Sequence, residues 1–113
     1  AMKIAEDFDV DIIDLHHKLK KDTPSGTAVL IKDALDNILR KKKLNKKKSS
    51  ILAMRSGDST GEHSVIFSGL GERIEIKHIS SSRQIFASGA VKVATWIYKK
   101  KPGLYDMSHF LKI

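Results

Sequence analysis

Cysteine is absent from the 113-residue sequence, which excludes disulfides, zinc sites with thiolate ligands and cysteine nucleophiles. No apolar run approaches the roughly 20 residues that a membrane-spanning helix needs, and nothing near the start resembles a signal peptide. Aromatic residues make up 6% of the chain, which leaves few rings for stacking on nucleic-acid bases. These absences predict a soluble, cytoplasmic protein with no membrane partner, and the length of 113 residues is that of a single domain.

Positive charge is abundant but concentrated in one segment. The formal net charge is +8, and residues 40–48 supply seven positive charges, which leaves +1 for the rest of the chain. Such a run is typical of a solvated helix end and loop. The alternative is a basic nucleic-acid-binding module that uses residues 40–48, although the near-neutral remainder and the few aromatic residues argue against it.

The first half of the sequence predicts a strand followed by a helix. Residues 9–15 combine β-branched residues with aspartates, a pattern typical of a strand buried partly on both faces. The helix is expected to run to about Arg40, with Pro24 at its first position and Thr23 as N-cap. Ser25 as N-cap is the competing register.

The second half predicts a short strand at residues 50–54, a hairpin of strands at 63–68 and 72–79, and a helix from about 83 to 99. In the second hairpin strand, isoleucines alternate with charged residues, which predicts one wet face. The fold class is therefore α+β, with a mixed, partly antiparallel sheet and two long helices. Both helices carry wide apolar stripes that a small sheet does not cover, which indicates a missing partner surface.

Residues 16–28 hold the groups best suited to an anion and a proton. The imidazoles of His16 and His17 titrate near neutral pH and suit proton transfer. Lys20 can neutralise a carboxylate or donate a proton. The first turn of the helix attracts anions, Gly26 leaves room for close approach, and Thr27 adds a hydroxyl. An ordinary capped helix beside structural histidines is the alternative.

Other candidate residues have less support. His63 and His78 are interpreted as packing or hydrogen-bonding residues of strands. No metal site is expected, because cysteine is absent and no His-x-x-x-His spacing occurs. No G-x-G-x-x-G motif is present, so a redox cofactor would need another domain. Arg83 at a helix start opposes the helix dipole, which marks either a ligand contact or an exposed side chain with other partners.

The sequence resembles the dihydrodipicolinate reductase family over nearly its whole length. The longest motif is residues 16–28, His-His-Lys-Leu-Lys-Lys-Asp-Thr-Pro-Ser-Gly-Thr-Ala. Further matching segments follow in the family's order: residues 55–57 (Arg-Ser-Gly), 61–63 (Gly-Glu-His), 71–78 (Gly-Glu-Arg-Ile-Glu-Ile-Lys-His), 81–83 (Ser-Ser-Arg), 86–90 (Phe-Ala-Ser-Gly-Ala) and 103–107 (Gly-Leu-Tyr-Asp-Met).

This resemblance implies an NAD(P)H-dependent reductase that converts 4-hydroxy-tetrahydrodipicolinate to tetrahydrodipicolinate in diaminopimelate and lysine biosynthesis. In that family an N-terminal Rossmann domain binds NADH or NADPH, and a C-terminal α+β domain binds the dicarboxylate substrate and forms a homotetramer through its sheet. The chain resembles the C-terminal part only. Residues 1–113 are then expected to form the substrate-binding and tetramerisation domain, with about 83–113 packing on a nucleotide-binding domain. Alone, such a fragment is expected to be inactive.

The same resemblance implies roles for individual residues. His16 is the catalytic acid/base and Lys20 the proton donor. His17, Gly26 and Thr27 hold the carboxylates of the substrate, and Arg83 lies near the active cleft. No cofactor-binding or metal-binding residue is implied in this chain. The lysine-rich segment 40–48 departs from the family pattern, since many relatives have a longer polar loop there.

Overall fold

The computed structural model describes residues 8–41 and 49–113, and the chain divides into two compact units, Ala1–Ser81 and Ser82–Ile113. The first unit contains β1 (Asp9–His16), α1 (Gly26–Lys41), β2 (Ser50–Arg55), β3 (Glu62–Gly69) and β4 (Glu72–Ile79). The second unit contains α2 (Gln84–Ile97) and α3 (Met107–Leu111). Most of segment 40–48 lies outside the described residues.

The first unit is built on a four-stranded sheet with the order β2-β1-β3-β4. β1 pairs in parallel with β2 and antiparallel with β3, and β3 pairs antiparallel with β4. The hairpin turns at Leu70 and Gly71, where Gly71 has a φ of +76°, a conformation that favours glycine. The predicted α+β fold with a mixed, partly antiparallel sheet is confirmed.

The side chains of β1 alternate between two environments. Val10, Ile12, Asp14 and His16 are all buried on one face, which we call the helix face because α1 starts over it, whereas Ile13 and Leu15 on the second face are half-buried. Among the described residues, the buried apolar side chains are those of Val10, Ile12, Ala28, Leu39 and Phe67. Of these four residues of β1 on the helix face, the last two, Asp14 and His16, are ionisable.

The start of α1 differs from the favoured sequence prediction. The helix begins at Gly26, and the amide of Ala28 donates to Ser25 Oγ at 3.2 Å, so Ser25 is the N-cap in place of Thr23. The Ser25 amide also donates to buried Asp14 Oδ2 at 2.8 Å. This register satisfies a buried carboxylate and the first turn of the helix together, which explains why it prevails.

The prediction of one wet face for β4 is wrong for this chain, because every residue of β4 is exposed. β4 lies at the edge of the sheet farther from α1, which contacts β1 and β2. Ile74 and Ile76 are cross-strand partners of Phe67 and Val65 and so lie on the helix face. They are exposed because α1 does not extend over β4.

In the second unit the C-terminal tail packs against α2. The ring of Trp96 lies edge-on to Tyr105 and Phe110, with centroids 5.5 and 5.6 Å apart. The Asp106 side chain caps α3 by accepting from the His109 amide, and hydrogen bonds from the Ser108 hydroxyl and from His109 lower the pKa of Asp106 to about 2. No residue of α2 is buried. Among the described residues, no helix combines the length and apolar character needed to cross a bilayer.

Candidate functional site

The sheet register brings four ionisable side chains together where β1 ends. Asp14 lies opposite His63 on antiparallel β3, and His16 lies beside Arg55 on parallel β2. Asp14 and His16 share the helix face because they are two residues apart in a strand. We call these four residues, together with Ser25 at the start of α1, the Asp14 cluster.

Asp14 is the centre of the cluster and is fully buried. Its Oδ2 accepts hydrogen bonds from the Ser25 amide at 2.8 Å and from Arg55 Nη2 at 3.2 Å. Burial alone would raise the pKa of Asp14, but the Ser25 hydrogen bonds and the Arg55 guanidinium hold that pKa below its ordinary value. The carboxylate is therefore charged at neutral pH and can serve as a fixed acceptor.

His16 stands over the other oxygen of the same carboxylate. His16 Nδ1 and Asp14 Oδ1 are 2.8 Å apart, an ion-pair distance, although their orientation falls outside hydrogen-bond geometry. Because an ionised carboxylate only accepts, a neutral imidazole facing it should carry its proton on Nδ1. Burial lowers the pKa of His16, the positive charges of Lys20 and Arg55 lower it further, and Asp14 opposes the shift. The imidazole is thus neutral over more of the physiological range, with Nε2 as its basic nitrogen.

Gly61 leaves room beside that nitrogen. A Cβ added at Gly61 would lie 3.0 Å from His16 Nε2, and the residue has a φ of +154°. Both facts favour glycine at this position. The Ser80 amide donates to the carbonyl of Gly61 at 2.8 Å, which anchors this part of the backbone beside the imidazole.

The loop after β1 carries Lys20 and is tied to the same region. Lys20 Nζ lies 2.8 Å from Asp22 Oδ1, and this ammonium group holds the pKa of Asp22 below its ordinary value. Arg55 Nη2 donates to the carbonyl of Asp22 at 2.7 Å, so Arg55 bridges the loop and the Asp14 carboxylate. The Lys18 amide donates to the carbonyl of Gly57 at 3.1 Å.

The other predicted site residues are placed differently. His17 is half-buried, and its carbonyl accepts from the Lys20 amide at 3.1 Å. Gly26 and Thr27 are the exposed first two residues of α1, where helix amides have no acceptor within the helix. The amide of Ser25, the residue before them, donates to Asp14. Arg83 belongs to the second unit, and its part in the site stays a prediction.

Sequence reasoning missed Asp14 and Arg55 and undervalued His63. His63 Nε2 lies 3.0 Å from Ser25 Oγ and 3.4 Å from Asp14 Oδ1, so it is a hydrogen-bonding residue, as predicted, but one inside the site. The position of Asp14, two residues before His16, was a usable signal, since alternation puts both on one face. The pairing of β3 with β1 was not apparent from the sequence.

Asp14, His16 and His63 could each offer one metal-ligand atom, and these atoms lie within 4.8 Å of one another. The Arg55 guanidinium on the same carboxylate places a positive charge beside that position, which opposes a second cation. This arrangement suits a shared proton better than a metal ion. That the chain has no metal site stays a prediction.

Comparisons with known proteins agree on one family. The family model described as "Dihydrodipicolinate reductase, C-terminus" matches residues 1–111. A 4-hydroxy-tetrahydrodipicolinate reductase of Methanosarcina acetivorans is 46% identical over 98% of this chain and 46% of its own length. One of Wigglesworthia glossinidia brevipalpis is 52% identical over 94% of this chain and 38% of its own length. The chain thus spans less than half the length of these curated relatives.

A solved structure has a similar fold. It is a dipicolinate-bound dihydrodipicolinate reductase from Paenisporosarcina sp. TG-14, with a TM-score of 0.69 and 26% identity, covering 96% of this chain and 47% of that one. The cluster of histidines beside a helix start thus occurs in a chain whose sequence and fold both match the same enzymes. This chain belongs to the dihydrodipicolinate reductase family, whose C-terminal part it matches.

Proposed function

We propose that this chain is the substrate-binding part of an NAD(P)H-dependent 4-hydroxy-tetrahydrodipicolinate reductase of diaminopimelate and lysine biosynthesis. Membership of the family and the names of the relatives support this proposal. The observation that carries it is the His16 imidazole, held by buried Asp14 close to the start of α1. A proton carrier and an anion-binding helix start are what a reductase of a dicarboxylate needs from this domain.

His16 is proposed as the acid/base and Lys20 as the proton donor. The lowered pKa of His16 gives the imidazole a basic Nε2 near neutral pH, and Asp14 fixes the ring from its other side. The Lys20 ammonium group is paired with exposed Asp22, which a substrate carboxylate can replace. His17, Gly26 and Thr27 are proposed to hold the carboxylates, and Arg83 to lie near the active cleft.

The cofactor, NADH or NADPH, is proposed to bind mainly to another domain. In this chain neither passage from a strand into a helix, β1 to α1 or β4 to α2, carries G-x-G-x-x-G. When bound, the cofactor supplies the hydride. This chain's own residues hold the carboxylates, orient the reacting carbon and provide the proton. Residues of about 83–113, exposed along α2, are proposed to pack on the nucleotide-binding domain.

The partners proposed are a small dicarboxylate and three further copies of the chain, in a cytoplasmic homotetramer formed through the sheet. Support for the sheet as the interface comes from its second face, the one opposite the helix face. There Leu52, Met54 and Ile79 are 61%, 43% and 54% exposed, which is unusual for apolar residues of a sheet. Nucleic-acid binding is not favoured, since the matched relatives are reductases.

Calorimetry with pyridine-2,6-dicarboxylate tests the proposal on this chain. We expect binding by the wild type and a loss of about tenfold or more in Lys20→Ala, because a charge-assisted contact is removed. Gly26→Ala should also weaken binding while preserving the fold, because a Cβ at Gly26 meets nothing within 4 Å. Lys18→Ala, which removes an exposed lysine of the same loop, is the control. Equal losses in Lys18→Ala and Lys20→Ala would contradict the proposed site.

A further inference from the structure

Two imidazoles converge on one carboxylate oxygen in the Asp14 cluster. His16 Nδ1 lies 2.8 Å and His63 Nε2 3.4 Å from Asp14 Oδ1. The two rings are 5.2 Å apart and meet edge to face at 70°. The side chains are 10% and 12% exposed, so water screens their interaction only weakly. The charge on one ring must therefore affect the other.

His63 also reaches the start of α1. Its Nε2 lies 3.0 Å from Ser25 Oγ, and the same hydroxyl accepts from the Ala28 amide. One histidine thus contacts the N-cap of the helix and the carboxylate behind His16. These two places carry the two halves of the proposed chemistry, which are the holding of a carboxylate and the transfer of a proton.

We propose that His63 is a positioning residue of this site, sharing Asp14 Oδ1 with His16 and holding the Ser25 hydroxyl at the start of α1. This inference rests on the proposed function for its biological meaning, but not for its test. In this arrangement His63 limits how strongly Asp14 can hold His16. It also links the orientation of the His16 ring to the first turn of the helix.

Charged groups on the neighbouring elements act on both rings. Asp14 on β1 favours the charged form of both imidazoles. Arg55 at the end of β2 disfavours the charged form of His16, and His78 on β4 disfavours the charged form of His63. Lys20 in the loop after β1 opposes both. Burial lowers the pKa of His63, and the charge of His16 lowers it further. A proton on either ring therefore makes a proton on the other less favourable.

Histidine NMR on the 113-residue chain tests this proposal, with the ring signals of His16 followed during a pH titration. His63→Leu leaves Oδ1 to His16 alone, so the pKa of His16 should shift upward, and the amide signals of residues 26–28 should move. His63→Gln keeps a donor near Ser25 but cannot take a charge. It should restore those amide signals and give His16 a single-step titration.

The matched control is His78→Gln. His78 is the cross-strand partner of His63 on exposed β4 and acts on His63 through its charge, but it is not among the ion-pair partners of Asp14. This variant should change the His16 titration much less than His63→Gln does. If His63→Leu does not fold, His63→Gln decides the matter. A His16 titration unchanged in His63→Gln overturns the proposal.

Binding of pyridine-2,6-dicarboxylate to the same samples separates this proposal from the proposed function. If the His63 variants change the His16 titration while even the wild type binds no dicarboxylate, the coupling stands and the proposed function fails. If the dicarboxylate binds but the His16 titration is the same in the wild type and in the His63 variants, the proposed function stands and the positioning role fails.

Discussion

Asp14 is the residue on which the site depends. A fully buried carboxylate is costly unless its oxygens are paired, and here an amide, a guanidinium and two imidazoles surround it. The same contacts have two effects, since they stabilise the fold and fix the charge that orients His16. Changes at Asp14 should therefore affect stability and histidine chemistry together.

Asp14→Asn tests the first effect. At neutral pH we expect the free energy of unfolding to fall by about 2–4 kcal/mol, because the amide leaves the Arg55 guanidinium, on a side chain only 14% exposed, without its counter-charge. The pKa of Asp14 is lowered in the fold, so its stabilising contribution is lost as the pH falls through that value. The difference between wild type and variant should then shrink in acid, as measured by urea unfolding.

Asp11→Asn is the control for this comparison. Asp11 lies in the same strand but on the second face and is exposed, so its replacement should change the free energy of unfolding by less than about 0.5 kcal/mol. Equal destabilisation by both variants would contradict the central place of Asp14.

His16 and His63 should make the stability of the fold decrease in acid. Burial lowers the pKa of both His16 and His63 below the ordinary value of 6.5, so the unfolded chain binds more protons than the folded chain just below that pH. The free energy of unfolding should decrease as the pH is lowered from about 7 towards 5, by up to about 1.4 kcal/mol per pH unit for each group. Urea unfolding of the double variant His16→Gln, His63→Gln should show a shallower slope, and an unchanged slope would contradict the assignment.

At the scale of elements, the site is made by the passage from β1 to α1. Ser25 is the joint between them, since its amide binds the strand residue Asp14 and its hydroxyl caps the helix. This double use leaves the amides of Gly26 and Thr27 as the ones available to an incoming anion.

Ser25→Ala should therefore lower the free energy of unfolding by about 1–2 kcal/mol, because the Ala28 amide loses its cap and His63 loses a partner. Thr23→Ala is the matched control, since Thr23 is the N-cap that the sequence favoured, yet it is exposed and lies before the helix. It should have almost no effect. A larger loss from Thr23→Ala, measured by thermal or urea unfolding, would contradict the observed register.

Most elements could be predicted from the sequence, because periodicity and turn residues report local structure. The strands at residues 9–15, 63–68 and 72–79 and the second helix were all predicted to within about two residues. The N-cap was wrong because the buried carboxylate that selects Ser25 comes from another element. Arg55 and His63 were not placed in the site for the same reason, since only the register of β1 with β2 and β3 brings them to Asp14.

At the scale of the whole molecule, the described surfaces are unusually apolar. On α2, Ile85, Phe86 and Val91 are 46%, 56% and 66% exposed, and the second face of the sheet exposes Leu52 and Met54. A chain that spans less than half the length of its relatives is expected to have such surfaces where the rest of an assembly packs. The sheet and α2 are the two places where partner contacts are proposed.

Sedimentation of the chain tests the sheet as the tetramer interface. We expect the wild type to sediment as a tetramer and Leu52→Lys as smaller species, because burying an ammonium group in place of an apolar side chain removes about 2 kcal/mol or more per copy. Leu30→Lys is the matched control, since Leu30 is 72% exposed on α1, away from the second face, and should stay tetrameric. The variants should keep the circular dichroism of the wild type, since both positions are exposed in the single chain. Dissociation of Leu30→Lys but not of Leu52→Lys would indicate that the interface is formed by α1 and not by the second face of the sheet. A monomeric wild type would contradict assembly through this domain alone.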